Sequence, residues 1–297
     1  MTHPKMRPMG VGEILDRSFQ ALRSEFGTLM GTALVGFSPL LMIYIIAGVP
    51  YGAVPEEAIV AGLGLTLLVL AAAMIVGAAA VWAGLTHQID QAARGRSVTV
   101  TEGLKTGLGA LFRLVGAMIL VYLALLGLIL PVALIAGFIA AIGGAAPGAG
   151  GVILTILAIA IPGGIALVVW SALAFLILPA LVIEKRGPIQ ALRRANELAK
   201  GGRVRVFVTA VLAWLVVVLP TLGLPFLLGA GALIWDPQAA GEMGAFQLYA
   251  YQGLTFGLSA LTTPFLAATM VYTYYDRRVR REGYGVDPGS ASVPVTA

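Results

Sequence analysis

The sequence predicts an all-α polytopic membrane protein with six transmembrane helices, organised as three pseudo-repeated units of interfacial amphipathic helix plus helical hairpin. Of its 297 residues, 59% are hydrophobic and only 11% are charged, which is too little charge for a water-soluble domain of this length. The apolar stretches run for roughly 20 to 30 residues and do not alternate with period two, as spanning helices require. All 19 Lys and Arg residues fall on one predicted side of the membrane.

Six stretches are long enough to cross a bilayer, which takes about 20 helical residues. They are predicted at Phe26–Val49, Ala58–Leu85, from about Leu114 past Pro131, from after Gly151 to Ile183, from Val204 past Pro220 and Pro225, and at Leu248–Tyr275. With the N-terminus inside, the inner segments carry 19 basic and ten acidic residues, and the outer loops carry four acidic residues and no basic one. The positive-inside rule therefore predicts that both termini are cytoplasmic.

The same division predicts three regions. Residues 1–25 form a cytoplasmic N-terminus with an interfacial helix, 26–275 form a six-helix membrane domain, and 276–297 form a basic cytoplasmic tail that ends in disorder. The last segment, beyond residue 285, has no apolar pattern that could pack against a core.

A short amphipathic stretch precedes each odd-numbered span. The first is Val11–Glu25; the second follows Thr99, which forms a predicted capping box with Glu102. The third is Pro188–Lys200, where the proline suits a first helical turn. Their evenly spaced starts predict three copies of one unit around an axis along the membrane normal. These stretches either lie in the interface or extend the spans into the cytosol.

The sequence offers little for catalysis. There is no cysteine, and the two histidines are His3 and His87, so no thiolate nucleophile and no histidine-based metal site is expected. No nucleophile elbow or phosphate loop occurs, and we predict no catalytic residue, no cofactor and no metal. The pair His87 and Asp90 at the inner end of span two either ends a helix or relays protons. A nucleic-acid partner is not expected, because no basic stripe with interleaved aromatic residues is present.

Prolines and hydroxyls in the spans raise the prospect of a transport cavity. Transporters line cavities with broken helices, although membrane helices carry more proline than soluble ones in any case. The polar face of span six can line such a cavity or simply form hydrogen bonds between helices. The candidate cavity residues are Pro220, Thr255, Ser259 and Thr262.

The C-terminal segment combines tyrosines, arginines and acids. Tyr272, Tyr274 and Tyr275 stand where an aromatic belt belongs. Asp276 with Arg280, and Arg278 with Glu282, are spaced to pair along a helix. Arginines here bind anionic lipid at about 1 kcal/mol each, or else serve only as a topological anchor. The candidate residues for binding anionic lipid or a protein partner are Arg193, Arg194, Arg203, Arg205, Arg277, Arg278, Arg280 and Arg281.

Three segments resemble motifs of one bacterial family. They are Met9–Phe19 (MGVGEILDRSF), Pro179–Phe207, and Thr273–Asp287 (TYYDRRVRREGYGVD). The chain resembles the glycerophosphoryl diester phosphodiesterase membrane-domain family, although Ala195-Asn196 replaces the Ser-Trp usual there. The resemblance implies an integral membrane module of unsettled function in a bacterial inner membrane, without the catalytic barrel of the phosphodiesterase.

Two functional hypotheses follow. The first is a non-enzymatic membrane scaffold or accessory subunit that binds anionic lipid or a protein partner through its basic cytoplasmic face. The second is a transporter, or an ABC-type permease subunit, for a small or lipidic solute, with an ATPase partner at Gln88–Lys105. The fold-level layout alone does not separate the two.

Overall fold

The computed structural model describes residues 7–47, 56–143, 149–225 and 245–283. Within these ranges the chain forms helices connected by short turns, so the all-α prediction is confirmed. The helices are α1 (Val11–Ser24), α2 (Phe26–Ala47), α3 (Glu56–Ala93), α4 (Val100–Gly109), α5 (Leu111–Gly143), α6 (Ala149–Ile183), α7 (Pro188–Ala199), α8 (Arg203–Pro225) and α9 (Ala245–Glu282).

Five of the described helices contain a segment long and apolar enough to cross a membrane. The segments are Ala72–Ala93 of α3, Leu111–Leu134 of α5, Pro162–Ile183 of α6, Arg203–Thr221 of α8 and Gly253–Glu282 of α9. Two of these helices continue past their predicted spans: α3 ends at Ala93 where the second span was predicted to end at Leu85, and α9 runs to Glu282. The predicted boundary after residue 275 is therefore not a break in the helix.

The centre of the described bundle is formed by α3, α6 and α9, which contact one another. Around them, α2 packs on α3 and α9, α5 packs on α6 and α3, and α8 packs on α9 and α6. Side chains of the three central helices, including Leu85, Leu176 and Val271, are fully buried. The outer helices expose large apolar residues such as Phe112 and Trp214. A lipid environment removes the cost of these exposed apolar surfaces.

Glycines allow α2, α3 and α4 to approach closely. A Cβ added to Gly77 of α3 would lie 2.4 Å from the carbonyl oxygen of Gly36 in α2. A Cβ on Gly107 of α4 would lie 2.2 Å from the carbonyl oxygen of Ala80 in α3. Contact distances this short exclude any larger side chain, as is usual where membrane helices pack through small residues.

The short helices α1, α4 and α7 lie at one end of the bundle, which we call the basic end. α1 packs on α9 and α8, α4 on α3 and α2, and α7 on α6 and α5. The predicted capping box is confirmed: the Thr99 amide donates to Glu102 Oε2 (3.0 Å), and the Glu102 amide donates to Thr99 Oγ1 (3.3 Å). Pro188 occupies the first turn of α7, also as predicted. All three helices begin at the predicted residues, and for α4 and α7 the start signal is local: a capping box and a first-turn proline.

Candidate anion-binding site at the basic end

Three carboxylates lie near the ends of the three central helices, at the basic end. They belong to Asp90 in α3, Glu184 just after α6, and Asp276 in α9, and each forms an ion pair with an arginine. Asp90 pairs with Arg94 at 2.8 Å, Glu184 with Arg194 at 3.0 Å, and Asp276 with Arg280 at 2.9 Å, measured between nitrogen and oxygen. A buried carboxylate needs such partners because desolvation of an isolated charge is costly.

Two neighbouring tyrosines of α9 donate to two of these carboxylates. The hydroxyl of Tyr274 donates to Glu184, and the hydroxyl of Tyr275 donates to Asp90. Both tyrosines are fully buried, so the prediction that they belong to an aromatic belt is wrong. A belt tyrosine keeps its hydroxyl among headgroups, whereas these two hydroxyls bind carboxylates inside the protein.

The Glu184 carboxylate accepts hydrogen bonds from several side chains. Burial alone raises its pKa, but hydrogen bonds from Tyr274 and from Arg194 outweigh burial and hold the pKa below its usual value. Arg186 also donates to this carboxylate, at 2.5 Å. Glu184 is therefore the junction of α6, α7 and α9 at the basic end.

Asp276 joins α9 to the segment that precedes α1. Its side chain is 1% exposed and accepts a hydrogen bond from the backbone amide of Met9 (2.8 Å). Arg205 lies 3.4 Å from the same carboxylate. Arg205 and Arg280 also donate to the carbonyl oxygen of Met9, the second at 3.0 Å. The predicted pairing of Asp276 with Arg280 is confirmed, as is that of Arg278 with Glu282 (3.3 Å).

A cavity of about 590 Å³ opens beside the contacts of Asp276 with Arg205 and Arg280. We call it the basic pocket. Its lining residues are Pro8, Lys200, Gly201, Gly202, Arg205, Arg277, Val279, Arg280 and Arg281. Five of the nine are basic, and the volume falls within the range of about 300 to 1,000 Å³ typical of ligand sites.

The wall of the basic pocket is built around Arg277. This side chain is 4% exposed, and it donates from Nε to the carbonyl oxygen of Leu198 (2.8 Å) and from Nη2 to that of Lys200 (3.0 Å). A Cβ on Gly202 would lie 2.0 Å from Arg277 Nη1, and Gly201 adopts φ +73°. The turn between α7 and α8 therefore favours glycine at 201, and a side chain at 202 would require the Arg277 guanidinium to move.

The structure divides the eight predicted arginines into groups. Four of them line the basic pocket: Arg205, Arg277, Arg280 and Arg281. The other four are Arg194 and Arg278, which pair with Glu184 and Glu282, Arg203, which donates to Asn196 Oδ1 (2.9 Å), and Arg193, which is exposed on α7. Sequence reasoning missed Lys200 and the two glycines of the pocket; the Lys-Gly-Gly run between two predicted helices was the available signal.

The hydroxyls proposed to line a transport cavity bond within their own helix. Ser259 donates to the carbonyl oxygen of Thr255 (2.8 Å), and Thr262 donates to that of Leu258 (2.8 Å). Pro220 lies five residues before the end of α8 and is partly buried. Bonds of this kind satisfy hydroxyls in apolar surroundings, and a cavity at these residues stays a prediction.

Asp90 does not end its helix, because α3 continues to Ala93. Its carboxylate holds Tyr275 and Arg94. His87 instead lines a second cavity, of about 320 Å³, together with Ser97 and Val98 before α4 and Glu102, Lys105 and Thr106 within it. Asp90 connects α3 to α9 through Tyr275, and the proton-relay alternative for this pair stays a prediction.

The fold and this site define the class: a helical protein composed for a membrane, with arginine-rich packing at one end. The chain belongs to the family described as Domain of unknown function (DUF7847), whose model matches residues 9–277. This range begins at Met9, whose backbone is hydrogen-bonded to Asp276 and Arg280, and ends at Arg277. No curated protein and no solved structure matches the chain. The resemblance to the glycerophosphoryl diester phosphodiesterase membrane-domain family stays a prediction.

Proposed function

We propose that the protein is a non-enzymatic integral membrane scaffold or accessory subunit, and that it binds anionic lipid through the basic pocket. One observation carries this proposal: five basic side chains surround a single cavity. The nearby carboxylate of Asp276 already holds Arg205 and Arg280. The remaining positive charge attracts anionic headgroups, at about 1 kcal/mol for each base near a membrane surface.

The proposal includes the topology predicted from the sequence. α2 supplies a sixth span in addition to the five that meet the length and composition criteria. The basic end then faces the cytoplasm of a bacterium, with both termini inside, because basic residues concentrate on the cytoplasmic side of inner-membrane proteins. In this orientation the basic pocket faces the anionic inner leaflet.

The arrangement as three units is also part of the proposal, and the helix contacts support it. Each outer helix packs on the central helix that follows it and on one other central helix: α2 on α3 and α9, α5 on α6 and α3, α8 on α9 and α6. Each short helix packs on the central helix of another unit: α1 on α9, α4 on α3 and α7 on α6. Each unit also places one carboxylate near the end of its central helix: Asp90 in α3, Glu184 after α6 and Asp276 in α9. One rule of contact for three segments is what a parallel repeat produces.

The proposal is tested by lipid retention in bilayer nanodiscs. The full chain is reconstituted with neutral and anionic phospholipids, and the lipids retained are counted by native mass spectrometry. The double variant K200Q/R281Q removes two exposed bases of the pocket, and R96Q/R193Q removes two exposed bases elsewhere. We expect K200Q/R281Q to lose about thirtyfold in affinity for anionic lipid, from about 1 kcal/mol per base. Equal losses in both double variants would contradict binding at the pocket.

The alternative function, a transporter or permease subunit, makes a different prediction. Its ATPase partner was expected at Gln88–Lys105, yet Gln88 is 4% exposed and donates to Thr32 Oγ1 (2.8 Å). A partner would therefore have to contact exposed residues of this segment, such as Arg96. Purification from the native membrane in mild detergent separates the two functions, because a stoichiometric ATPase in the eluate would favour the permease.

A further inference from the structure

We infer that the basic pocket is a site for a phosphate monoester. The inference rests on the proposed function and names the class of ligand that this function leaves open. It requires that the pocket distinguish a dianionic phosphate from the singly charged phosphodiester of common anionic lipids.

Charge is the first argument. The lining carries five basic residues, and Lys200 and Arg281 among them are exposed to solvent. The carboxylate of Asp276 is engaged by Arg205, by Arg280 and by the amide of Met9. A phosphate monoester carries about −1.5 to −2 charges near neutral pH, while a diester carries about −1. The monoester therefore neutralises more of the charge that the pocket assembles.

The second argument is the environment of Arg277. This buried guanidinium donates to the carbonyl oxygens of Leu198 and Lys200, which carry no formal charge. Burial of a cation is unfavourable unless an anion approaches it, and the neighbouring carboxylate of Asp276 is shared with Arg205 and Arg280. The Nε and Nη2 of Arg277 donate to these two carbonyl oxygens, and Nη1 carries further N–H groups that can donate to a phosphate oxygen. An anion in the pocket would therefore offset the cost of burying the Arg277 guanidinium against the turn Lys200–Gly202.

The third argument is the start of α8. The helix begins at Arg203, directly after Gly201 and Gly202, which line the pocket. Its first intrahelical bond runs from the amide of Val206 to the carbonyl oxygen of Gly202 (3.1 Å). The backbone amides before Val206 in the helix have no acceptor earlier in it, and such amides bind phosphate readily at a helix N-terminus. The pocket therefore combines guanidinium and ammonium groups with residues at the start of α8.

The phosphate can belong to a lipid headgroup or to a soluble molecule, and two arms of one experiment separate these sources. In the lipid arm, nanodiscs of phosphatidylcholine contain equal mole fractions of phosphatidic acid, a monoester, or phosphatidylglycerol, a diester. In the soluble arm, inorganic phosphate is titrated calorimetrically into the protein in phosphatidylcholine nanodiscs. Native mass spectrometry measures retained lipid in the first arm.

We expect the affinity for phosphatidic acid to be at least about tenfold higher than that for phosphatidylglycerol. This ratio corresponds to one additional charged hydrogen bond. Heat on phosphate addition would support a soluble source, and its absence alongside retained phosphatidic acid would support a lipid source. R281Q should abolish the preference for the monoester, since this side chain lines the pocket. R193Q, the matched control on α7, should preserve it.

Two results would overturn the inference. Equal retention of the two anionic lipids, without phosphate heat, removes the monoester site and leaves the proposed anionic-lipid scaffold intact. Retention of neither lipid above phosphatidylcholine, without phosphate heat, removes both. R281Q is preferred to an Arg277 variant because Arg281 is exposed, whereas Arg277 holds the end of α7.

Discussion

The hydroxyl of Tyr275 donates a hydrogen bond to the carboxylate of Asp90, 185 residues earlier in the chain. The preceding residue, Tyr274, donates in the same way to Glu184, and the following residue, Asp276, binds the amide of Met9. Three successive residues of α9 therefore connect it to α3, to the end of α6 and to the N-terminal segment. This is the principal polar junction that we find among the described residues of the basic end.

Replacing Tyr275 with Phe should destabilise the protein by about 1.5 to 3 kcal/mol, the range for a hydrogen bond to a charged group. The loss is large because the Asp90 carboxylate is left buried with one partner fewer. The free energy of unfolding in mixed micelles measures it. Y122F is the control, since Tyr122 is exposed on α5. A change in Y275F no larger than that in Y122F would contradict the junction.

The Glu184 carboxylate should make stability depend on pH. Its pKa is lowered in the folded state, because the Tyr274 and Arg194 hydrogen bonds outweigh burial, so its contribution is complete above the ordinary value of 4.5. The contribution is lost as the pH falls through the folded pKa. Thermal unfolding between about pH 3 and pH 7 should show this loss in the wild type and not in E184Q. E197Q, at an exposed position of α7, should keep the wild-type profile.

Replacing Gly202 with Ala should displace Arg277, because the new Cβ would lie 2.0 Å from its Nη1. Loss of the hydrogen bonds to Leu198 and Lys200 should cost about 1 to 3 kcal/mol, measured as the free energy of unfolding. G12A provides the comparison: nothing lies within 4 Å of a Cβ at Gly12 in α1. There we expect unchanged or higher stability, by up to about 1 kcal/mol. Equal effects at both glycines would argue against the Arg277 wall.

Replacing Thr99 with Ala should remove the capping box of α4. The hydroxyl of Thr99 accepts a hydrogen bond from the Glu102 amide, and losing such an N-cap bond is expected to cost about 1 kcal/mol. Unfolding measurements report this cost, and T101A serves as the control because Thr101 is exposed within the first turn of the same helix. A negligible loss in T99A would show that packing on α3 alone fixes α4.

The sequence predicts the short helices well because their signals are local. The prediction Pro188–Lys200 differs from α7 by one residue, and Val11–Glu25 differs from α1 by one residue. Hydropathy did worse at the ends of α3 and α9 that lie at the basic end. It stopped at Leu85 and Tyr275, whereas α3 and α9 continue to Ala93 and Glu282.

The continuation depends on contacts between distant parts of the chain. Gln88 and Asp90 are polar, and each has a distant partner inside the bundle: Gln88 Nε2 donates to Thr32 Oγ1, and Asp90 accepts from Tyr275. Hydropathy averages composition along the chain and contains no information about such partners. Missing partner information also explains why the sequence predicted one basic face. In the structure Arg194 forms an ion pair with Glu184, whereas Arg281 lines the basic pocket.

Photo-crosslinking from the anionic lipid itself tests most directly whether the lipid occupies the basic pocket. The full chain is reconstituted with phosphatidic acid that carries a diazirine near its glycerol, irradiated, and mapped by peptide mass spectrometry. We predict that crosslinks concentrate in residues 200–205 and 277–281, which surround the basic pocket, and that excess unlabelled phosphatidic acid displaces them. Crosslinks distributed evenly over exposed basic positions, with Arg96 and Arg193 labelled as strongly as the pocket, would contradict the account.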